Sequence, residues 1–144
     1  MGRLLGIDFG ERRIGLAISD PTRSIASPLI TLTRRMGKRP PWAELDQVIR
    51  EKDVEGIVVG LPLDLEGAET PWSNEVRDFA ARLEARSGLS VSFIDERLTS
   101  VMAERVVRGS NLPRSRREQK GRIDETAAAI ILQNYLDRER IRNE

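Results

Sequence analysis

The alternation of apolar and polar positions divides this chain into short strands followed by longer helical stripes. Apolar runs at Arg3–Phe9 and Arg13–Ser19 are separated only by Gly10-Glu11-Arg12, which predicts a β-hairpin. The run at Ile25–Leu32, rich in Ile, Leu and Thr, predicts a third antiparallel strand. The first quarter of the chain is therefore expected to form three sequential antiparallel strands.

Helical spacing dominates the rest of the chain. Val76, Phe79, Ala80 and Leu83 form an i, i+3, i+4, i+7 stripe, which predicts a helix over residues 73–85 that ends at Gly88. The other expected elements are strands at 56–60 and 91–94, helices at 42–51, at 100–108 with Thr99 as N-cap and at about 123–138, and a basic loop at 111–117.

Three antiparallel strands followed by alternating helices and strands indicate an α/β protein. This order predicts a five-stranded mixed sheet with helices on both faces, which is the order of elements in ribonuclease H-like domains. A length of 144 residues corresponds to a single domain, residues 1–144, that is long enough to bury a core. The apolar runs are all shorter than the roughly 18 residues that span a bilayer. No signal-peptide core precedes Asp8, so we expect a cytoplasmic protein without membrane partners.

The chain contains no Cys and no His. This composition disfavours a zinc site and excludes thiol nucleophiles, Ser–His–Asp triads and histidine bases. Any catalysis must then use carboxylates, Lys or Arg, hydroxyl groups, or a hard metal ion bound through oxygen ligands.

Basic residues are concentrated in one segment although the net charge is only +1. Residues 105–122 contain seven Arg or Lys residues and one acid, and a second basic cluster lies at 34–39. Such segments are typical of solvated loops and equally of surfaces that bind a phosphate backbone. The predicted nucleic-acid contacts are Arg12, Arg97, Arg117, Lys120 and Arg122.

Three acidic residues occupy the ends of predicted elements. Asp8 ends the first strand, Glu96 follows the fifth strand, and Asp124 begins the last helix. Each alone is typical of a turn or of a helix N-terminus. If the first and fifth strands are neighbours, however, Asp8 and Glu96 lie at the same sheet edge, and the last helix adds Asp124.

Converging carboxylates repel one another unless a cation neutralises them. Mg²⁺ or Mn²⁺ suits such oxygen ligands, and two ions about 3.5–4 Å apart can activate water and stabilise a leaving oxygen. We therefore predict a metal-dependent hydrolase of phosphodiester bonds, in which Asp8, Glu96 and Asp124 are both metal ligands and catalytic residues.

Four motifs, spread in order over nearly the whole chain, resemble those of the YqgF family, also called RuvX. They are Gly6-Ile7-Asp8-Phe9-Gly10 with Arg13-Ile14-Gly15-Leu16-Ala17 and Ser19-Asp20; Gly60-Leu61-Pro62-Leu63 with Gly67; Asp95-Glu96-Arg97-Leu98-Thr99-Ser100; and Lys120 followed by Asp124, Ala127, Ala128, Ile131, Leu132 and Leu136.

The resemblance implies a ribonuclease H-like fold related to the Holliday junction resolvase RuvC. It also implies a nuclease that processes the 5′ end of pre-16S ribosomal RNA, with Asp8, Glu96 and Asp124 as its metal site. Glu66 stands where an Asp is common in the family. The last helix of RuvC resembles a site with two acids three residues apart. Here the position three residues after Asp124 is Ala127, so a fourth ligand would have to be Glu125, Asp95 or water.

Alternatives from other classes are less favoured. Asp8-x-Gly10 with a hairpin also opens actin- and Hsp70-type ATPases, but those need two lobes, and this chain has no Walker phosphate loop. A non-catalytic nucleic-acid-binding protein would gain nothing from crowding carboxylates. Among nucleases, structured RNA is favoured by the resemblance alone over branched DNA, whose symmetric cleavage normally needs a homodimer.

Overall fold

The computed structural model describes residues 2–34, 39–98 and 117–143, and for residues 98 and 117–122 it describes the backbone alone. The elements are β1 (Arg3–Phe9), β2 (Arg13–Ser19), β3 (Ala26–Thr33), α1 (Trp42–Glu51), β4 (Val54–Leu61), α2 (Pro71–Ser87), β5 (Val91–Asp95), a 3₁₀ turn (Glu96–Leu98) and α3 (Arg117–Arg142). The predicted helix at 100–108, its Thr99 cap and most of the basic loop lie outside the described residues. None of the described helices has the length and apolar character needed to cross a membrane.

The five strands form one mixed sheet in the order β3-β2-β1-β4-β5. β1 runs antiparallel to β2 and parallel to β4, and β4 runs parallel to β5. The predicted mixed sheet is confirmed, but the expectation that the first and fifth strands are neighbours is wrong. β4 lies between them, because it forms parallel hydrogen bonds with β1 on one side and with β5 on the other.

Helices cover both faces of the sheet, as the order of elements predicts. β1 shows the reason, because its side chains alternate between two apolar clusters. Leu5, Ile7 and Phe9 belong to the cluster that contains buried residues of α1 and α2. Leu4 belongs to the opposite cluster, which is built around Ala128, Ile131 and other residues of α3. We call this second side the α3 face.

Helix α2 begins two residues earlier than its apolar stripe predicts. Thr70 is the N-cap and forms a capping box with Ser73, while Pro71 fits the first helical position. The predicted end is confirmed, since Gly88 adopts the left-handed conformation at φ 72° and its N–H donates to the carbonyl of Glu84.

Helix α3 packs closely on the sheet through glycines in β1 and β2. An alanine side chain at Gly15 would overlap the backbone carbonyl of Asp124, and one at Gly6 would lie 2.7 Å from the Cβ of Leu132. Gly6 and Gly15 both belong to the first of the four sequence motifs. The structure gives a reason for them, because only a residue without Cβ lets α3 approach these strands so closely.

Candidate active site

Asp8 lies on the α3 face at the carboxyl end of β1. It shares this face with Gly6, because alternate residues of a strand point to the same side. Its side chain is buried, with 4% of the residue exposed, and its partner across the β1–β2 ladder is Gly15. The sequence prediction of an acid at this edge therefore corresponds to a buried carboxylate.

Glu96 follows β5 directly and is also buried, at 3% exposed. It reaches the centre of the sheet across β4, where Gly60 leaves the space. A Cβ atom on Gly60 would lie 2.7 Å from Oε1 of Glu96 and 2.6 Å from Cδ1 of Ile131. Gly60 therefore allows the Glu96 side chain to extend over β4 toward β1.

Asp124 lies in α3, directly above Gly15 of β2. Its Oδ2 accepts a hydrogen bond from Nε of Arg13 at 2.7 Å, and the two side chains are 21% and 33% exposed. Sequence reasoning did not identify Arg13 as a site residue. The available signal was strand alternation, because Arg13, Gly15 and Ala17 share one face of β2 with the helix that carries Asp124.

The three predicted acids thus share the α3 face, near the carboxyl ends of β1 and β5. They are not gathered into one cluster, since within the described ranges no three Asp, Glu, His or Cys side chains are placed to hold a metal ion together. Asp8 and Glu96 are buried side chains, whereas the Asp124 carboxylate is bound to Arg13. The site combines oxygen donors with a guanidinium group.

Asp95 and Arg97 flank Glu96 and bind each other. Arg97 donates from Nη2 to Oδ2 of Asp95 at 2.7 Å and from Nε to the same carboxylate at 3.0 Å. This hydrogen bonding lowers the pKa of Asp95 and raises that of Arg97, and burial opposes both shifts only partly. Asp95, one of the three options for a fourth metal ligand, is therefore engaged by a cation of its own.

Arg97 also holds the loop that follows β4. Its Nη1 donates to the carbonyl of Leu65 at 3.3 Å, and its guanidinium lies against Gly67, whose φ of 87° favours glycine. Within the loop, Oδ1 of Asp64 accepts from the backbone N–H groups of Glu66 and Ala68. Arg97 was predicted to bind nucleic acid, and in the structure it connects Asp95 to this loop.

The structure gives less information on the other predicted nucleic-acid contacts. Arg12 is exposed in the β1–β2 turn, beside the site. Arg117, Lys120 and Arg122 fall in the first turns of α3, where only the backbone is described. Arg34, from the second basic cluster, is not simply solvated, because its guanidinium lies 4.5 Å from the centre of the Phe9 ring and donates to the carbonyl of Gly10.

A cleft of about 600 Å³ lies at the other end of the sheet and contains none of the predicted site residues. Its lining includes Leu4, Arg23, Glu55, Tyr135 and Arg140. The lining carries charges of both signs and includes residues near the C-terminal end of α3, away from the three acids.

Comparison with known proteins gives consistent relatives. The sequence profile of the family described as "RuvX: Holliday junction resolvase" matches residues 2–138. A protein of Koribacter versatilis is 46% identical over 143 residues, covering 99% of this chain and 92% of its own length. One of Moorella thermoacetica is 46% identical over 136 residues, covering 94% and 95%. Both carry the description "Putative pre-16S rRNA nuclease".

Solved structures share the fold at low sequence identity. Thermus thermophilus RuvC, in complex with a Holliday junction substrate, superposes with a TM-score of 0.54 at 15% identity and covers 94% of each chain. The fowlpox virus resolvase, in complex with Holliday junction DNA, gives a TM-score of 0.53 at 10% identity, covering 94% of this chain and 97% of its own. The predicted ribonuclease H-like fold is thereby confirmed.

Proposed function

This chain belongs to the RuvX family, and from that premise we propose that it hydrolyses phosphodiester bonds of nucleic acid at the α3 face, using Asp8, Glu96 and Asp124. The observation that carries the assignment of the site is the common placement of these acids. Asp8 at the end of β1 and Glu96 directly after β5 are both buried, with β4 between their strands, and Asp124 stands on α3, which packs on the same face.

The donor set fits a divalent metal ion. Two buried carboxylates on one face are costly unless a cation neutralises them, and Mg²⁺ and Mn²⁺ prefer such oxygen ligands. The chain offers no Cys or His that would favour a softer metal. Asp8 and Glu96 would hold the ion, and Asp124 would join them from α3.

The bound metal would supply an activated water and stabilise the leaving oxygen. The residues of the chain position this chemistry. Gly60 lets Glu96 extend over β4, and Gly15 sets the height of Asp124 above β2. Burial of Asp8 and Glu96 limits competition from bulk water for their oxygens. Arg12, which is exposed in the adjacent turn, would contact a phosphate of the substrate backbone.

For the substrate, the descriptions of the relatives favour a precursor of 16S ribosomal RNA, and such a substrate places the protein in the cytoplasm. The family description and the fold relatives instead name Holliday junctions. Trimming one RNA end requires a single site, whereas resolving a junction requires two sites related by symmetry. We propose RNA as the substrate and four-way DNA as the competing candidate.

The test is cleavage of end-labelled structured RNA and of a four-way DNA junction, with Mg²⁺, Mn²⁺ or EDTA. Asp8→Asn and Asp124→Asn each remove one candidate ligand with almost no change in side-chain size. Asp137→Asn, an acid farther along α3 that pairs with Arg140, is the matched control. We expect metal-dependent cleavage that is retained in the control and lost in both site variants.

The outcome separates the candidates. Preferential cutting of RNA supports the ribosomal substrate, whereas symmetric cutting of the junction by a dimer supports the competitor. Equal activity in the wild type and in folded Asp8→Asn protein would place the chemistry elsewhere. Far-UV circular dichroism of each variant distinguishes lost chemistry from lost structure.

A further inference from the structure

The contact between Arg13 and Asp124 is partly buried and well formed. The Nε···Oδ2 distance of 2.7 Å is that of a charge-assisted hydrogen bond, and two thirds or more of each side chain is covered. The pair joins β2 to α3 across 111 positions of sequence. Such a pair is harder for solvent to screen than the exposed ion pairs on α2.

The backbone on both sides of this pair is fixed. Asp124 packs directly against Gly15, so α3 cannot shift toward the sheet, and Arg13 begins a strand paired with β1 and β3. A rearrangement of the two side chains therefore requires no closer approach of α3 to the sheet. Among the described residues the acids do not form a three-ligand cluster while Asp124 is bound to Arg13.

We propose that Arg13 is a positioning residue that holds the Asp124 carboxylate in the metal-free protein and exchanges it for a phosphate of the substrate when the metal binds. This inference rests on the proposed function. The Asp124 carboxylate would be shared between Arg13 and a divalent ion held by Asp8 and Glu96, and the double charge of such an ion would favour its release from the guanidinium. A rotation of the Asp124 side chain would be enough for this exchange, with α3 in place.

Release of Asp124 leaves the Arg13 guanidinium beside the metal site without its carboxylate. A phosphodiester is the natural replacement, because guanidinium binds phosphate oxygens in the same planar, bidentate geometry as it binds carboxylates. Arg13 begins β2 next to the exposed turn that carries Arg12, so a phosphate backbone entering over this turn reaches both residues. The Arg13 side chain thus neutralises the Asp124 carboxylate before the metal and the substrate bind, and a substrate phosphate afterwards.

The first test measures metal binding without substrate. Mn²⁺ is titrated into the free protein and followed by electron paramagnetic resonance, for the wild type, Arg13→Gln, Arg13→Lys and Asp8→Asn. Arg13→Gln removes the competing cation, so we expect Mn²⁺ to bind roughly fivefold more tightly. Arg13→Lys keeps the charge and should bind Mn²⁺ as the wild type does. Arg82→Gln, which breaks an exposed pair with Asp78 on α2, makes the same change in net charge away from the site and is the matched control.

The second test measures substrate binding with the same variants. At saturating Mn²⁺ we expect Arg13→Gln to raise KM for the cleaved nucleic acid roughly tenfold, with a smaller effect on kcat. Arg13→Lys should raise KM by less, because ammonium contacts phosphate as a point charge. Tighter metal binding combined with weaker substrate binding in one variant is the expected signature. If the ion pair were purely structural, its loss in Arg13→Gln would weaken both metal binding and substrate binding.

Failure of the inference is distinguishable from failure of the proposed function. If Mn²⁺ binds equally to the wild type and to Asp8→Asn, the metal site itself is misplaced. If Asp8→Asn loses Mn²⁺ binding while Arg13→Gln matches the wild type in both affinity and KM, the metal site stands and the exchange by Arg13 is refuted. Arg13→Lys preserves the ion pair, so it decides the KM question even if Arg13→Gln does not fold.

Discussion

The carboxylate of Glu96 lies so close to Gly60 that a Cβ atom at position 60 would be only 2.7 Å from its Oε1 atom. This relationship explains how two acids on non-adjacent strands can belong to the one site that we propose. β4 separates β1 from β5, and any larger residue at position 60 would stand between Glu96 and Asp8. The glycine in the Gly60-Leu61-Pro62 motif is therefore a feature of the site as well as of the strand end.

Gly60→Ala should reduce cleavage strongly. The new methyl group would lie 2.7 Å from Oε1 of Glu96 and 2.6 Å from Cδ1 of Ile131, so the carboxylate must move. Displacement of a catalytic group by about 1 Å costs on the order of 100-fold in rate, and overpacking costs roughly 1–3 kcal/mol of stability. The measurement is kcat together with the free energy of unfolding in urea.

Gly56→Ala is the matched control for this prediction. It makes the same change on the same strand and the same face, but its methyl group would meet only the Cδ2 atom of Leu4, at 2.8 Å. We expect it to lose stability while kcat stays near that of the wild type. Comparable losses of kcat in both variants would show that Gly60 acts through general packing and not through Glu96.

Gly15→Ala should destabilise the protein more than Gly60→Ala does. Its methyl group would overlap the backbone carbonyl of Asp124, which cannot rotate away as a side chain can. The helix must then lift from β2, at a cost of roughly 1–3 kcal/mol or more, and Asp124 moves with it. Thermal unfolding and Mn²⁺ binding measure the two effects. If Gly15→Ala unfolds at the same temperature as the wild type, α3 does not pack against β2 as closely as the structure shows.

Arg97→Gln should destabilise the protein in a pH-dependent manner. Arg97 lowers the pKa of Asp95, so the stabilisation is present above the ordinary pKa of an Asp side chain and is lost as the pH falls through the lower, folded-state value. The pair is exposed to solvent, which screens it, so we expect only a small loss of stability at pH 7. Urea unfolding at pH 7 and near pH 3 measures the difference between variant and wild type, which should shrink at the acid end. Arg82→Gln provides the control for loss of one exposed cation.

Asp20→Asn should weaken the β2–β3 connection at neutral pH but not in strong acid. Oδ1 of Asp20 accepts from the backbone N–H groups of Ser24 and Ile25, and its side chain also accepts from Thr22. These hydrogen bonds lower its pKa from 3.8 to about 2. The stabilisation by the carboxylate is therefore complete above pH 4 and disappears as the pH falls through 2. Thermal unfolding between pH 2 and 7 tests this, with Asp78→Asn as control. A difference between variant and wild type that is as large at pH 2 as at pH 7 would argue against the carboxylate.

The strands and helices could be predicted because their signals are local. β1, β2 and α1 have the predicted bounds, and α2 ends at the predicted Gly88. The ends of α3 could not be predicted, since the helix runs from Arg117 to Arg142 and extends beyond its apolar stripe at both ends. The family and the fold class were also accessible from the sequence, because the motifs are short, ordered and spread over most of the chain.

The sequence by itself determined which residues of each element share a face, since a period of 2 or 3.6 residues is a property of a single segment. It predicted that β1, β2 and β3 lie side by side but could not determine the order of the parallel strands, and only the tertiary structure showed that β4 separates β1 from β5. The roles of Gly60, Gly15 and Arg13 depend on that order, because each acts on a residue of another element. The sequence singled out the three acids only as candidates, and the contacts that position them exist only once the sheet and α3 are assembled.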